Sequence, residues 1–309
     1  MGGIIKMSSN TKKLIILAVI IMLLAGFMSM VCGFSSLGFS FLNRNTSRGG
    51  AKTFQVSGSF SSVEIESQTG NIRFHDAGKN PARVVWSGSS TTKLSVRNQI
   101  GTLKVKEQYR LPWIFRIGIV SGKSEIDVYL PRQDYKRLTA ESDTGNISVP
   151  AGLSFSEADI NTDTGTVEFQ ADVQKTLKID TDTGRISCSG SKPENLNLES
   201  DTGAVNVSAI SVSKDIRVKT DTGRITLTNV TTRDKMKLES DTGSISLERC
   251  DAAELDIETD TGSISGTLLS EKIFNAKSGT GRVDVPEYAF GGECKIKTDT
   301  GSITIRIEK

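Results

Sequence analysis

From Ser142 onward one short string returns at a nearly fixed interval, and no other feature limits so tightly what this chain can fold into. Asp-Thr-Gly stands at 143–145, 163–165, 182–184, 201–203, 221–223, 241–243, 260–262 and 299–301, each time after Ser or Thr. Gly279-Thr280-Gly281 is a further copy without the Asp. The closing glycines fall 19 or 20 residues apart throughout. A fixed period in this range is the signature of a solenoid, in which each coil buries its inner face only against its neighbours.

Aligning the coils on their glycines assigns a role to each position. Seven residues before stand Leu138, Ala158, Leu177, Leu196, Ile216, Met236, Leu255, Phe274 and Cys294; five before stand Ala140, Ile160, Ile179, Leu198, Val218, Leu238, Ile257, Ala276 and Ile296. The residues beside these rows are mostly polar, which is the period-two alternation of a strand with one wet face. Two after the glycine comes Ile147, Val167, Ile186, Val205, Ile225, Ile245, Ile264, Val283 or Ile303, so a second short strand follows each turn. Stacked at roughly 4.8 Å per coil, nine such coils span on the order of 40 Å. At the corner, glycine is expected to supply a positive φ, and the Asp carboxylate to accept the N–H two residues on, as Asp143 would from Gly145. The preceding Ser or Thr falls on the inward phase, where it can satisfy polar groups of the corner.

Residues 52–133 lack the period but open on a related coil, with Val63 and Ile65 before Ser67-Gln68-Thr69-Gly70. Alternation around Val84-Val85-Trp86, Leu94-Ser95-Val96, Leu103-Lys104-Val105 and Ile126–Leu130 predicts strands of an irregular first coil and cap, ahead of the regular solenoid at 134–309. Trp113–Val120 is the most apolar stretch of this region, expected as a buried strand of the cap, with a partner or membrane contact as the sharper reading.

Ahead of the cap, Leu14–Phe34 holds no charged residue and is long enough to cross a bilayer as a helix. Lys6, Lys12 and Lys13 precede it, so residues 1–13 are expected in the cytoplasm and the rest outside, as a single-pass cell-membrane protein. A cleaved signal peptide would have a shorter apolar core and an A-x-A-like site. Ser29-Met30-Val31 before Cys32 does not match a lipidation signal. Residues 35–51 read as a flexible linker. No sorting pattern follows Ile303-Thr304-Ile305-Arg306, so anchoring is expected from the amino terminus alone.

Composition excludes several functions. A net charge of +2 with both signs interleaved argues against a nucleic-acid surface. With the single histidine, His75, there is no basis for a histidine triad or multi-histidine zinc site. Cys32, Cys188, Cys250 and Cys294 show no C-x-x-C spacing; the last three fall in apolar columns, Cys250 in a row with Ile210, Val230 and Leu269, and are expected as buried free thiols. No catalytic, cofactor-binding or metal-ligating residue is assigned, and no cofactor.

Val63-Glu64-Ile65-Glu66-Ser67-x-Thr69-Gly70, Ser124-Glu125-Ile126-x-Val128-Tyr129-Leu130-Pro131 and the serial Ser/Thr-Asp-Thr-Gly coils together resemble the adhesin-like domain of unknown function 4097 over about residues 54–309. The resemblance implies an all-β, right-handed parallel β-helix or β-solenoid, a bacterial surface role, association in some members with cell-envelope stress systems, and no established catalytic residues to transfer.

The function expected is therefore that of a non-enzymatic, membrane-anchored extracellular adhesin or scaffold, whose partner is a cell-wall polymer, a host surface or an envelope membrane protein. The alternative is an accessory protein of an envelope stress or sensing system. Asp-Thr-Gly is also the catalytic string of aspartic proteases, but those need two copies face to face, whereas stacked copies share one edge. A carbohydrate-active β-helix enzyme could pair carboxylates of adjacent coils, with Arg185, Arg224 and Arg282 as binders of an acidic sugar, yet near-uniform coils do not set two acids apart. A calcium ladder would need several oxygens per ion, and each coil offers one carboxylate. Recognition is instead expected at variable outward positions such as Lys219, Lys277 and Lys297.

Overall fold

The polar–apolar alternation before each glycine is that of a half-buried strand, and these segments are extended and stacked. A computed structural model describes residues 50–88, 91–109, 124–288 and 290–308, which belong to one compact unit. The predicted anchor at 14–34 with its flanks at 1–13 and 35–49, and the stretch 113–120, lie outside the described residues. Among the described residues no helix is long and apolar enough to cross a membrane.

The protein is an all-β solenoid. Segments preceding the corners form a 12-stranded sheet and segments following them a 13-stranded sheet. Neighbouring coils pair in parallel and in the register of the glycine alignment: Leu196 lies beside Ile216 and Leu198 beside Val218 in the first sheet, Val205 beside Ile225 and Val207 beside Leu227 in the second. The two inward rows of the first sheet are buried from Leu138 to Ile257 and again at Cys294 and Ile296. Each coil thus extends continuous apolar columns, which is why the stack, and not the single coil, is the folding unit.

A third side appears where the second sheet continues past its corner. Ala209, Asn229 and Arg249, one per coil, adopt left-handed backbone with φ of 53°, 54° and 54°. Two successive non-buried positions there reset the alternation, so Ile210, Val212, Val230, Cys250 and Ala252 turn inward and are buried. The column differs from expectation in its last member. Cys250 pairs with Leu268, because the strand Ile264–Leu268 is one residue shorter at this corner; Leu269 is 40% exposed.

Coil order departs from chain order at both ends. The strand Ser62–Ser67 lies between Asp134–Thr144 and Thr102–Tyr109, so the chain first builds an inner coil and then steps outward. Outside it, Thr92–Gln99, Arg83–Ser87 and Lys52–Gln55 pair antiparallel and close that end. Buried Glu107 ties this cap together, accepting hydrogen bonds from Ser67 Oγ (2.7 Å), Ser124 Oγ (2.8 Å) and the Trp86 indole N–H (3.0 Å). At the other end the last strands of the chain, Gly292–Thr300 and Ile303–Ile307, insert between the coil of Glu254–Thr261 and that of Lys272–Thr280. The outermost coil is therefore Lys272–Thr280 with Val283–Asp284, the one whose turn lacks Asp.

Candidate functional site

Two surface features are candidates: the Asp-Thr-Gly edge and the third side. Along the edge each element of the turn serves the stack. The N–H of Gly145, Gly165, Gly184, Gly203, Gly223, Gly243 and Gly262 donates to a threonine carbonyl of the adjoining coil at 2.8–3.0 Å. That corrects the expected capping by Asp, since the N–H it would have taken is already engaged between coils. A Cβ on Gly243 would stand 1.7 Å from the carbonyl oxygen of Gly223, and on Gly184 1.8 Å from that of Gly165. Glycine is required by this close approach; the expected positive φ occurs at Gly203, Gly262 and Gly301 (159°, 157° and 148°) but not at Gly223 or Gly243. The inward hydroxyls act as anticipated: Thr162, Ser200, Thr220, Ser240, Thr259 and Thr298 donate to the glycine carbonyl of the neighbouring coil at 2.9–3.2 Å. Thr181 is the exception among the described residues, its buried Oγ1 having no partner.

Most of the Asp side chains are left to solvent. Asp143, Asp163, Asp182, Asp201, Asp241, Asp260 and Asp299 are exposed and Asp221 half-buried, all in one column. Partial burial, with the charge of Asp163 behind it, raises the Asp143 pKa above the ordinary carboxylate value. Lys219 lies 3.1 Å from Asp221 and Lys297 3.6 Å from Asp299. No three His, Cys, Asp or Glu side chains among the described residues converge as metal ligands. Arg185, Arg224 and Arg282 follow the same edge without forming a cluster: Arg224 donates to Ser244 Oγ (3.1 Å), and Arg282 sits 3.8 Å from Asp284 in the outermost coil.

The other singled-out residues are structural. His75 Nε2 lies 2.7 Å from Asp127 Oδ1 and its ring stacks at 4.4 Å on Tyr129, with Arg83 on the far side of that ring at 3.8 Å. Cys188, Cys250 and Cys294 are buried and free, and burial pushes the thiols of Cys188 and Cys294 up to about 12. Two of the three outward lysines are committed to ion pairs between coils, Lys219 with Glu199 (3.4 Å) and Lys297 with Glu258 (2.7 Å); such pairs cover much of the first sheet's outer face. Lys277 is exposed, in the edge strand of that sheet.

The third side is different in kind. Ser211, Thr231, Asp251 and Ser270 follow one another coil by coil at the rim of a cleft of about 790 Å³, whose floor includes Val212 and Ala252. Ser211 and Thr231 hydroxyls lie 3.2 Å apart, and Ser270 Oγ donates to Asp251 Oδ1 at 3.0 Å. Lys272, almost fully buried, donates from Nζ to Asp251 Oδ1, the Ala252 carbonyl and Ser270 Oγ, each at 2.7 Å. The one carboxylate of the cleft is thereby neutralised, while Lys192 and Arg233, both exposed, have no ion pair among the described residues. The result is a hydroxyl-lined, net-positive trough running across the coils. Sequence reasoning missed it, because the corner that makes it depends on three left-handed residues of unrelated type.

A family model described as Toastrack DUF4097 matches residues 60–215 and again 210–309. The chain belongs to the Toastrack family. No curated protein matches it. Among solved structures, Toastrack-like architecture recurs in a "putative lipid binding protein" of Parabacteroides distasonis ATCC 8503, 14% identical, with a TM-score of 0.53 over 84% of this chain and 97% of that one. A "putative adhesin" of Bacteroides fragilis NCTC 9343 is 13% identical, with a TM-score of 0.44 over 83% and 96%. For the first of these, at 14% identity, the likeness is one of fold.

Proposed function

We propose that this Toastrack protein is a non-enzymatic surface binder, held to the cell membrane by residues 14–34, that takes an anionic cell-wall polymer in the trough on its third side. The observation that carries this reading is the placement of two cations without ion pairs among the described residues, Lys192 and Arg233, in one cleft with the Ser211 and Thr231 hydroxyls of adjacent coils. A phosphate- or carboxylate-bearing chain laid across the coils meets the Ser211 and Thr231 hydroxyls on adjacent coils, which stack at roughly 4.8 Å, in the cleft that Lys192 and Arg233 also line. Arg and hydroxyl donors suit such groups, and a long, shallow trough suits a polymer better than a small molecule. An accessory role in envelope sensing draws on no feature as specific.

Binding of the full chain in detergent micelles to cell-wall sacculi, with and without their anionic polymer, tests this. Retention that depends on the polymer and falls at least about tenfold in Lys192→Glu/Arg233→Glu supports it. Retention indifferent to the double reversal, or capture by anionic vesicles in place of sacculi, overturns it.

A further inference from the structure

The two ends of the solenoid are finished differently. One is closed by antiparallel strands; at the other, Lys272–Thr280 is the bare edge of one sheet and Val283–Asp284 the bare edge of the other. Of the five large apolar side chains exposed in the described residues, four lie at or beside this end: Leu269 (40%), Ile273 (48%), Val283 (39%) and Phe290 (67%). Phe274, Ala276 and Val285, which belong to inward rows, are only partly buried there. Edges left in this state are templates for further pairing.

We infer that the open end is a contact surface for a second copy of this chain, joined head to head about a two-fold axis so that the sheet edged by Lys272–Thr280 continues antiparallel across the junction. The occupant is specified by charge. Glu271, immediately before the edge strand, and Lys277 within it stand three residues to either side of Phe274, in phase with the outward-facing Ile273 and Asn275. In an antiparallel pair centred on Phe274, Glu271 of each copy lies directly opposite Lys277 of the other, and Phe274 meets Phe274. A two-fold interface must be self-complementary, and opposite charges placed symmetrically about an apolar centre meet that condition. Other ion pairs at this end do not use Glu271 or Lys277: Lys272 is taken by Asp251, Lys297 by Glu258 and Asp284 by Arg306.

The test uses the full chain in detergent micelles, with protein mass from light scattering and sedimentation across a dilution series. The expected result is a dimer for the native chain, weakening by about tenfold or more in Glu271→Lys and in Lys277→Glu, each of which sets like charges opposite one another, and recovery in the Glu271→Lys/Lys277→Glu double variant. Recovery also shows that the substitutions leave the coil folded. A monomeric native chain, or a dimer that persists unchanged in both single reversals, as association through the amino-terminal segment would give, overturns the inference.

Discussion

At the scale of single residues, the repeated turn separates into parts with different tolerances. Gly243 is closed to any side chain by the Gly223 carbonyl, and the clash is with backbone, which cannot swing aside. Gly243→Ala should cost about 3 kcal/mol in chemical denaturation, whereas Asp241→Asn two residues earlier should stay within about 0.5 kcal/mol. Asp143 allows a pH test. Its folded-state pKa is raised by burial and by Asp163, so the folded state holds the proton more readily than the unfolded chain; the contribution is fully present below the ordinary carboxylate pKa and is lost as pH rises through the raised value. Asp143→Asn should therefore raise the melting temperature at neutral pH, with the gain shrinking to nothing in acid below the carboxylate range. The need for Gly was legible in the repeat, but its cause was not. A single coil suggests a turn and a cap, while the requirement comes from the coil beside it.

Among elements, the rows of apolar residues were legible because strand alternation has one period and the stack preserves it. That is why Leu196, Ile216 and Met236 meet as aligned. Coil order was not, since the insertion of Gly292–Thr300 keeps the same 20-residue step from Gly281 to Gly301. The missing Asp at 279 was the available sign that this coil is terminal, as atypical end repeats usually are. The insertion makes a kinetic prediction. In native-state hydrogen exchange, amides of Gly292–Thr300, covered on both sides, should exchange more slowly than those of Lys272–Thr280, even though they lie nearer the chain terminus. Equal or reversed protection would contradict the pairing. The hydroxyl rungs are a second element-scale device: Thr220→Val leaves the Gly203 carbonyl without its 3.2 Å donor and should cost about 1 kcal/mol by denaturant titration.

For the molecule as a whole, each coil touches only its neighbours, so stability rests on how the stack begins and ends. Glu107 holds the closed end through three donors from three strands. Glu107→Ala strands buried hydroxyl and indole groups and should lower stability by about 3 kcal/mol, read from the shift in denaturation midpoint. Glu107 occupies the row where later coils carry Ser or Thr, a substitution visible in the sequence only once the register of Ser67 against Glu107 is known. The trough was equally hidden, since it arises from the tertiary path of Ala209, Asn229 and Arg249. Both ends are built from segments that fold back inside a neighbour, so the first and last coils cannot be lost or duplicated without undoing an insertion. Between Gly145 and Gly262, by contrast, every junction is the same parallel pairing of interchangeable steps. A lineage of such proteins can therefore lengthen or shorten by gaining or dropping whole 19- or 20-residue units in the middle, carrying both terminal structures along unchanged, and reach becomes a property that selection can adjust independently of what the ends do.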